Sequence, residues 1–166
     1  MYMLRDKEIT MNFFHGRYKE TDEGFELLEE ISIQTGIIGF EADTKYVSLT
    51  VFGLLTIRVG FVWNASGPTV DSLNTREASC YHDAVYSLAD AGVFLGPYSS
   101  AVKIKADNLL YDMLRKNGMS WLRAQVWHKS VSLFGSSYWE KGKKRHKGLR
   151  RRRSGHKRNG RIFRIR

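Results

Sequence analysis

The sequence predicts an α+β fold: a small, mostly antiparallel β-sheet over about residues 24–63, three helices over about 76–91, 101–117 and 120–134, and a basic, irregular C-terminal arm. Three observations predict it. From Gly24 to Trp63 the chain is rich in Val, Ile, Thr, Phe and Leu and punctuated by Gly36, Gly39, Gly53 and Gly60, which is the texture of strands joined by turns. After Thr75 helix caps and glycine stops take over from that texture. From Lys141 onward the chain holds 14 of its 27 Lys and Arg and none of its 17 Asp and Glu.

Residues 1–20 give weak local signals. In the β-rich part, "SLTV" and "TIRV" alternate polar with apolar residues, so one face of the sheet should be covered. "NASGPTVDSLNT" (64–75) is a loop punctuated by Gly67-Pro68. Asn74 or Thr75 can cap the first helix, which Gly92 should end. After the loop "VFLGPYSSAVK", the second helix has Ala101, Ile104, Leu109, Tyr111 and Leu114 among its apolar positions and stops at Asn117-Gly118. Ser120 caps the third, which is expected to end at Gly135.

At 166 residues the chain is one domain's worth and can bury a proper core. Its charge divides it into a globular domain, 1–140, with 13 basic against 17 acidic residues, and a basic arm, 141–166, with a charge of +14. Cys80, the only cysteine, excludes an intrachain disulfide and reads as a small buried thiol. The N-terminal "MYMLRDKEITMNFF" lacks the apolar run of a signal peptide, and the hydrophobic stretch Tyr46–Trp63 alternates and contains Arg58, so it is not a membrane span.

The stretch "ASCYHDAVYSLADAG" (78–92) carries the residues with chemistry. His82 and Asp83 point about 100° apart on a helix and can line two sides of one groove, with Tyr86 one turn on. If the helix at 101–117 runs antiparallel to this one, Asp107 can face His82. A carboxylate on one imidazole nitrogen leaves the other poised to take a proton from water. Asp83 would then be free to help hold a hard cation, with backbone carbonyls of the 64–71 loop, Gly67 among them, as further oxygens. The bland alternative is a buried polar cluster that fixes the packing of two helices. His128 should sit on a partly exposed face of the third helix, and His15 lies in the uninformative N-terminal region.

"HDAVY" followed by a loop and "KADNLL" resembles the pattern of secreted and, more closely, parvoviral phospholipases. That resemblance implies His82 as the base activating water, Asp83 as a calcium ligand, Asp107 as the residue orienting His82, and Tyr86 in support. The family expects a glycine-rich calcium loop, whereas "WNASGPTVD" has one glycine.

A longer resemblance spans about residues 24–139. The order "GFVWNASGPTVD", "REASCYHDAVY", "KADNLLYDMLRKNGMSWLRAQVW" and "VSLFGSSYW" is similar to a family of small tailed-bacteriophage proteins of unknown function. It implies a viral origin, with other virion proteins as partners and a place in a virion or the host cytoplasm. Asn64 stands where those proteins usually carry Asp, which removes a charged ligand from the loop.

The arm is a sequence-blind signal for a polyanion. Lys143, Lys144, Arg145, Lys147, Arg150, Arg151, Arg152, Arg153, Lys157, Arg158, Arg161, Arg164 and Arg166 are the candidate phosphate contacts. Like charges and little apolar area predict that the arm is disordered on its own. Nucleic acid is the expected partner. An acidic protein surface is an alternative, and a membrane is another if the hydrolase reading holds.

Overall fold

A computed structural model describes residues 17–64 and 73–156, with the backbone alone for 73, 74 and 141–156. Two small antiparallel sheets precede three helices, the α+β arrangement the sequence predicts. The first sheet joins β1 (Tyr18–Thr21), β2 (Gly24–Leu27) and β7 (Val62–Trp63) in the order β1-β2-β7. The second joins β3 (Ile31–Gln34), β4 (Ala42–Asp43), β5 (Val47–Leu49) and β6 (Leu54–Ile57) in the order β3-β6-β5-β4. Among the described residues the β-structure is thus two sheets, and its first strand starts at Tyr18, ahead of the expected start.

β1 exists because β2 is there to pair with it. Thr21 lies opposite Gly24 and Tyr18 opposite Leu27. Gly24 takes φ +135, and a Cβ there would collide with the Trp63 carbonyl of the neighbouring β7, so this turn admits only glycine without rearrangement. In the second sheet Val47, Leu49, Leu55 and Ile57 are buried and alternate with less buried Ser48 and Thr56. One face is therefore covered, as the sequence alternation required.

The helices are α1 (Leu73–Asp90), α2 (Ser99–Lys116) and α3 (Trp121–His156). Gly92 (φ +83) ends α1, with the Val93 amide donating to the Leu88 carbonyl at 3.0 Å. Gly118 (φ +83) ends α2 in the same way, with Met119 bonding back to Leu114 at 2.9 Å. The buried face of α2 is Val102, Ala106, Asp107, Leu110, Met113 and Leu114, while Ala101 and Ile104 are exposed.

α1 is the central element. Ala78, Cys80, Ala84, Val85 and Leu88 are buried, and the helix packs on α2, α3, β5 and β7. Cys80 is the buried thiol expected; burial, then the charges of Asp83 and Glu77, push its pKa well up and leave it a poor nucleophile. Arg76 ties α1 to the first sheet: its guanidinium lies over Phe25 (4.7 Å), donates to the Tyr18 hydroxyl (2.8 Å) and pairs with Glu20 (3.3 Å).

The third helix departs most from expectation. It passes through Gly135 and continues to His156, so the boundary placed at residue 140 falls inside a helix and the arm is helical, not irregular, over 141–156. Nucleation, the costly step, is already met by the packed turns around Trp127 and Trp139, and cationic residues toward a helix C-terminus are favoured by the helix dipole. Among the described residues no helix is long and apolar enough to cross a membrane.

Candidate functional site

Helices α1 and α2 bring together the residues that the sequence singled out, and α3 closes over them. His82 Nε2 donates to Asp107 Oδ1 at 3.1 Å, and the Tyr86 hydroxyl donates to the same oxygen at 3.0 Å. The other carboxylate oxygen, Oδ2, accepts from Lys103 Nζ at 2.7 Å and from the Ser132 hydroxyl at 3.2 Å. Lys103 also donates to the Ser132 carbonyl at 3.2 Å. Asp107 is thus the hub of a network that binds three helices together.

Aromatic packing seals the hub. The Tyr86 ring lies 4.2 Å from that of His82, with Trp139 edge-on to it at 4.9 Å. Trp139 in turn stacks on Phe94 and donates its indole N–H to Ser99 Oγ at 2.8 Å. Gly135 is the notch that lets Tyr86 in: a Cβ there would stand 2.5 Å from the Tyr86 hydroxyl oxygen. His82 is 7% exposed and Asp107 2%. The glycine taken from the sequence as a helix stop is a steric recess.

Burial pulls the His82 pKa down, but hydrogen bonds to Asp107 and Asp83 outweigh it and hold the imidazole above its ordinary value. Burial likewise pushes Asp107 up, and its bonds from His82 and Lys103 outweigh that and bring it below the usual carboxylate range. Burial and the Asp107 charge raise the Tyr86 phenol. Both shifts favour the charged forms, the protonated imidazole and the ionised carboxylate, and the Asp107 carboxylate accepts from four donors.

The surroundings of the second imidazole nitrogen bear on catalysis. A general base must arrive unprotonated near neutral pH. Here His82 Nδ1, the nitrogen left over for water, faces Asp83 Oδ1 at 3.4 Å, an acceptor that favours a proton on that nitrogen. Asp83 itself lines a cleft of about 430 Å³ with Trp63, Asn64, Tyr86, Ser87, Gly135 and Tyr138, so the cleft reaches the ring packed on His82.

A calcium ion takes 6–8 oxygens, roughly speaking. At this cleft the described residues supply one carboxylate, Asp83, because Asp107 is filled by its four donors. Among the described residues no group of three or more His, Cys, Asp or Glu is arranged to hold a metal. Gly67, the proposed loop ligand, and the rest of the loop expected to supply further oxygens lie outside the described residues.

Of the arm residues, Lys143, Lys144, Arg145, Lys147 and Arg150–Arg153 lie on α3, while Lys157, Arg158, Arg161, Arg164 and Arg166 lie outside the described residues, as does His15. His128 is partly exposed, bonded through Nε2 to Asn108 Oδ1 at 3.0 Å and edge-on to Tyr111. Sequence reasoning missed Lys103 and Ser132. Lys103 carried a signal, since it stands four residues before Asp107 on one helix. Ser132 carried none, because only the packing of α3 brings it there. Comparison with known protein families, curated proteins and solved structures finds no match to this chain.

Proposed function

We propose that this is a binding protein whose cationic C-terminal arm grips nucleic acid without sequence specificity, while the acidic α+β body serves as its scaffold. The observation that carries the reading is the continuity of α3. One helix runs from Trp139, 2% exposed, directly into a segment with many Lys and Arg and no Asp or Glu. A polyanion is the natural complement of that segment. The sealed His82–Asp107 cluster fits the scaffold half, since its polar groups are spent on joining three helices. The similarity to small tailed-phage proteins extends the proposal to a place in or on a virion, beside packaged nucleic acid and other virion proteins.

The test is binding to mixed-sequence oligonucleotides across a salt series. Neutralising about 6–10 phosphates predicts an affinity loss of roughly 10³–10⁵ between 50 and 200 mM salt. Binding that survives deletion of 141–166, or that ignores salt, would show the contact to lie elsewhere.

A second reading, an ester hydrolase acting on phospholipid, draws on the 3.1 Å His82–Asp107 contact and on the neighbouring cleft at Asp83. Phospholipid vesicles incubated with calcium and the intact protein are expected to stay whole. Hydrolysis abolished by His82→Ala would reverse the order of the two readings.

A further inference from the structure

We infer that the arm takes duplex DNA as a helix seated in the major groove, an inference that rests on the nucleic-acid reading above and names its substrate. The stretch Lys141–His156 continues α3 for about 24 Å at about 1.5 Å per residue. Apart from three glycines it contains one apolar residue, Leu149. At about 100° per residue, Lys141, Lys143, Lys144, Arg145, Lys147 and Arg150–Arg153 fall at register positions all the way around the axis.

That distribution discriminates among polyanions. A helix that lies on a lipid surface needs one apolar face and one cationic face, and this one has no apolar face. A single-strand binder interleaves aromatic side chains on which bases stack, whereas Lys141–His156 contains no Phe, Tyr or Trp and the whole arm has one, Phe163. A rod with cations on every side suits a channel with phosphates on both walls. The major groove of B-form DNA is such a channel, about 12 Å wide for a helix about 10–12 Å across. The A-form RNA major groove is too narrow to admit it.

The arm's own energetics agree. Like charges one turn apart repel, and Gly142, Gly148 and Gly155 lower helix propensity, so the helix depends on its anchored N-terminal half and gains from phosphates laid along it. Duplex DNA should therefore raise the protein's helix content, a change visible by circular dichroism.

Gly148 allows a test at constant charge. Gly148→Pro breaks the helix and Gly148→Ala strengthens it, and neither alters the number of cations. Fluorescence anisotropy of the full chain is read at one salt concentration against a mixed-sequence DNA duplex, its separated strand and the matching RNA duplex. The intact protein should favour the DNA duplex by about tenfold, and Gly148→Pro should lose about tenfold on that duplex while holding its single-strand affinity within about twofold. Gly148→Ala should bind the duplex about threefold tighter. Equal affinity for all three probes, or a proline variant indistinguishable from the parent, overturns the groove assignment and leaves the nucleic-acid reading standing. Binding to none of them, with capture by anionic vesicles instead, overturns both.

Discussion

Between Trp121 and Glu140, α3 buries Ala124, Trp127 and Trp139 and places Ser132 and Gly135 against the Asp107 hub. Between Lys141 and His156 the same helix has one apolar residue and a cation at more than half of its positions. The first half is helical because tertiary packing requires it, in spite of a glycine at 135. The second is helical because the first has already met the nucleation cost. One continuous backbone therefore serves two purposes, and damage to either half should leave the other recognisable.

The largest expected effect breaks the first half. Asp107→Ala removes the acceptor shared by His82, Tyr86, Lys103 and Ser132 and strands the Lys103 ammonium, a loss of about 3–5 kcal/mol by analogy with broken buried pairs. Urea unfolding should report it as a fall in midpoint, and an unchanged midpoint would mean that the network contributes little.

Next is the second half. Replacing Arg150, Arg151, Arg152 and Arg153 together by Gln should flatten the salt slope of DNA binding by roughly 3–4 and weaken binding on the order of 100-fold at low salt. Thermal unfolding of the body should not move, which is the sharper half of the prediction.

A smaller effect concerns the recess. Gly135→Ala would gain about 1 kcal/mol of helix propensity, yet its methyl group meets a Tyr86 hydroxyl held by Asp107. Overpacking of this kind costs about 1–3 kcal/mol, so the steric term should win and stability should fall. A more stable alanine variant would show that Tyr86 can give way.

The smallest is the response to pH. The His82 pKa is raised on folding, so its contribution is complete below the unfolded value of about 6.5 and fades as pH climbs through the folded one. Asp107 is lowered, so its contribution is complete above about 3.9 and fades under acid. Unfolding free energy should peak between those limits, and His82→Gln should remove the decline on the alkaline side.

Much of this was legible in the residues themselves. Gly92 and Gly118 end helices as expected because a positive φ at a helix end is a local property. Gly135 has the same identity and the opposite role, since what decides it is a tyrosine from another helix. The His82–Asp107 pair followed from spacing plus one assumption about antiparallel packing, whereas the filling of Asp107 by Ser132 depended on how α3 lies. The charge of the arm was plain from composition. Its helicity was not, because local repulsion argues against a helix and the anchor that overrides it, Trp139, acts through Ser99 and Phe94, about 40 residues upstream.

The length of that rod has an electrostatic consequence. At physiological ionic strength fields decay over about 8 Å, whereas His156 stands about 25 Å along the axis from Trp139. The anionic globule at the near end is several screening lengths from the tip. Phosphates at the tip would feel little of the globule's carboxylates, whereas those beside Lys141–Lys144 lie within about one screening length of it, so the hold should strengthen toward the tip.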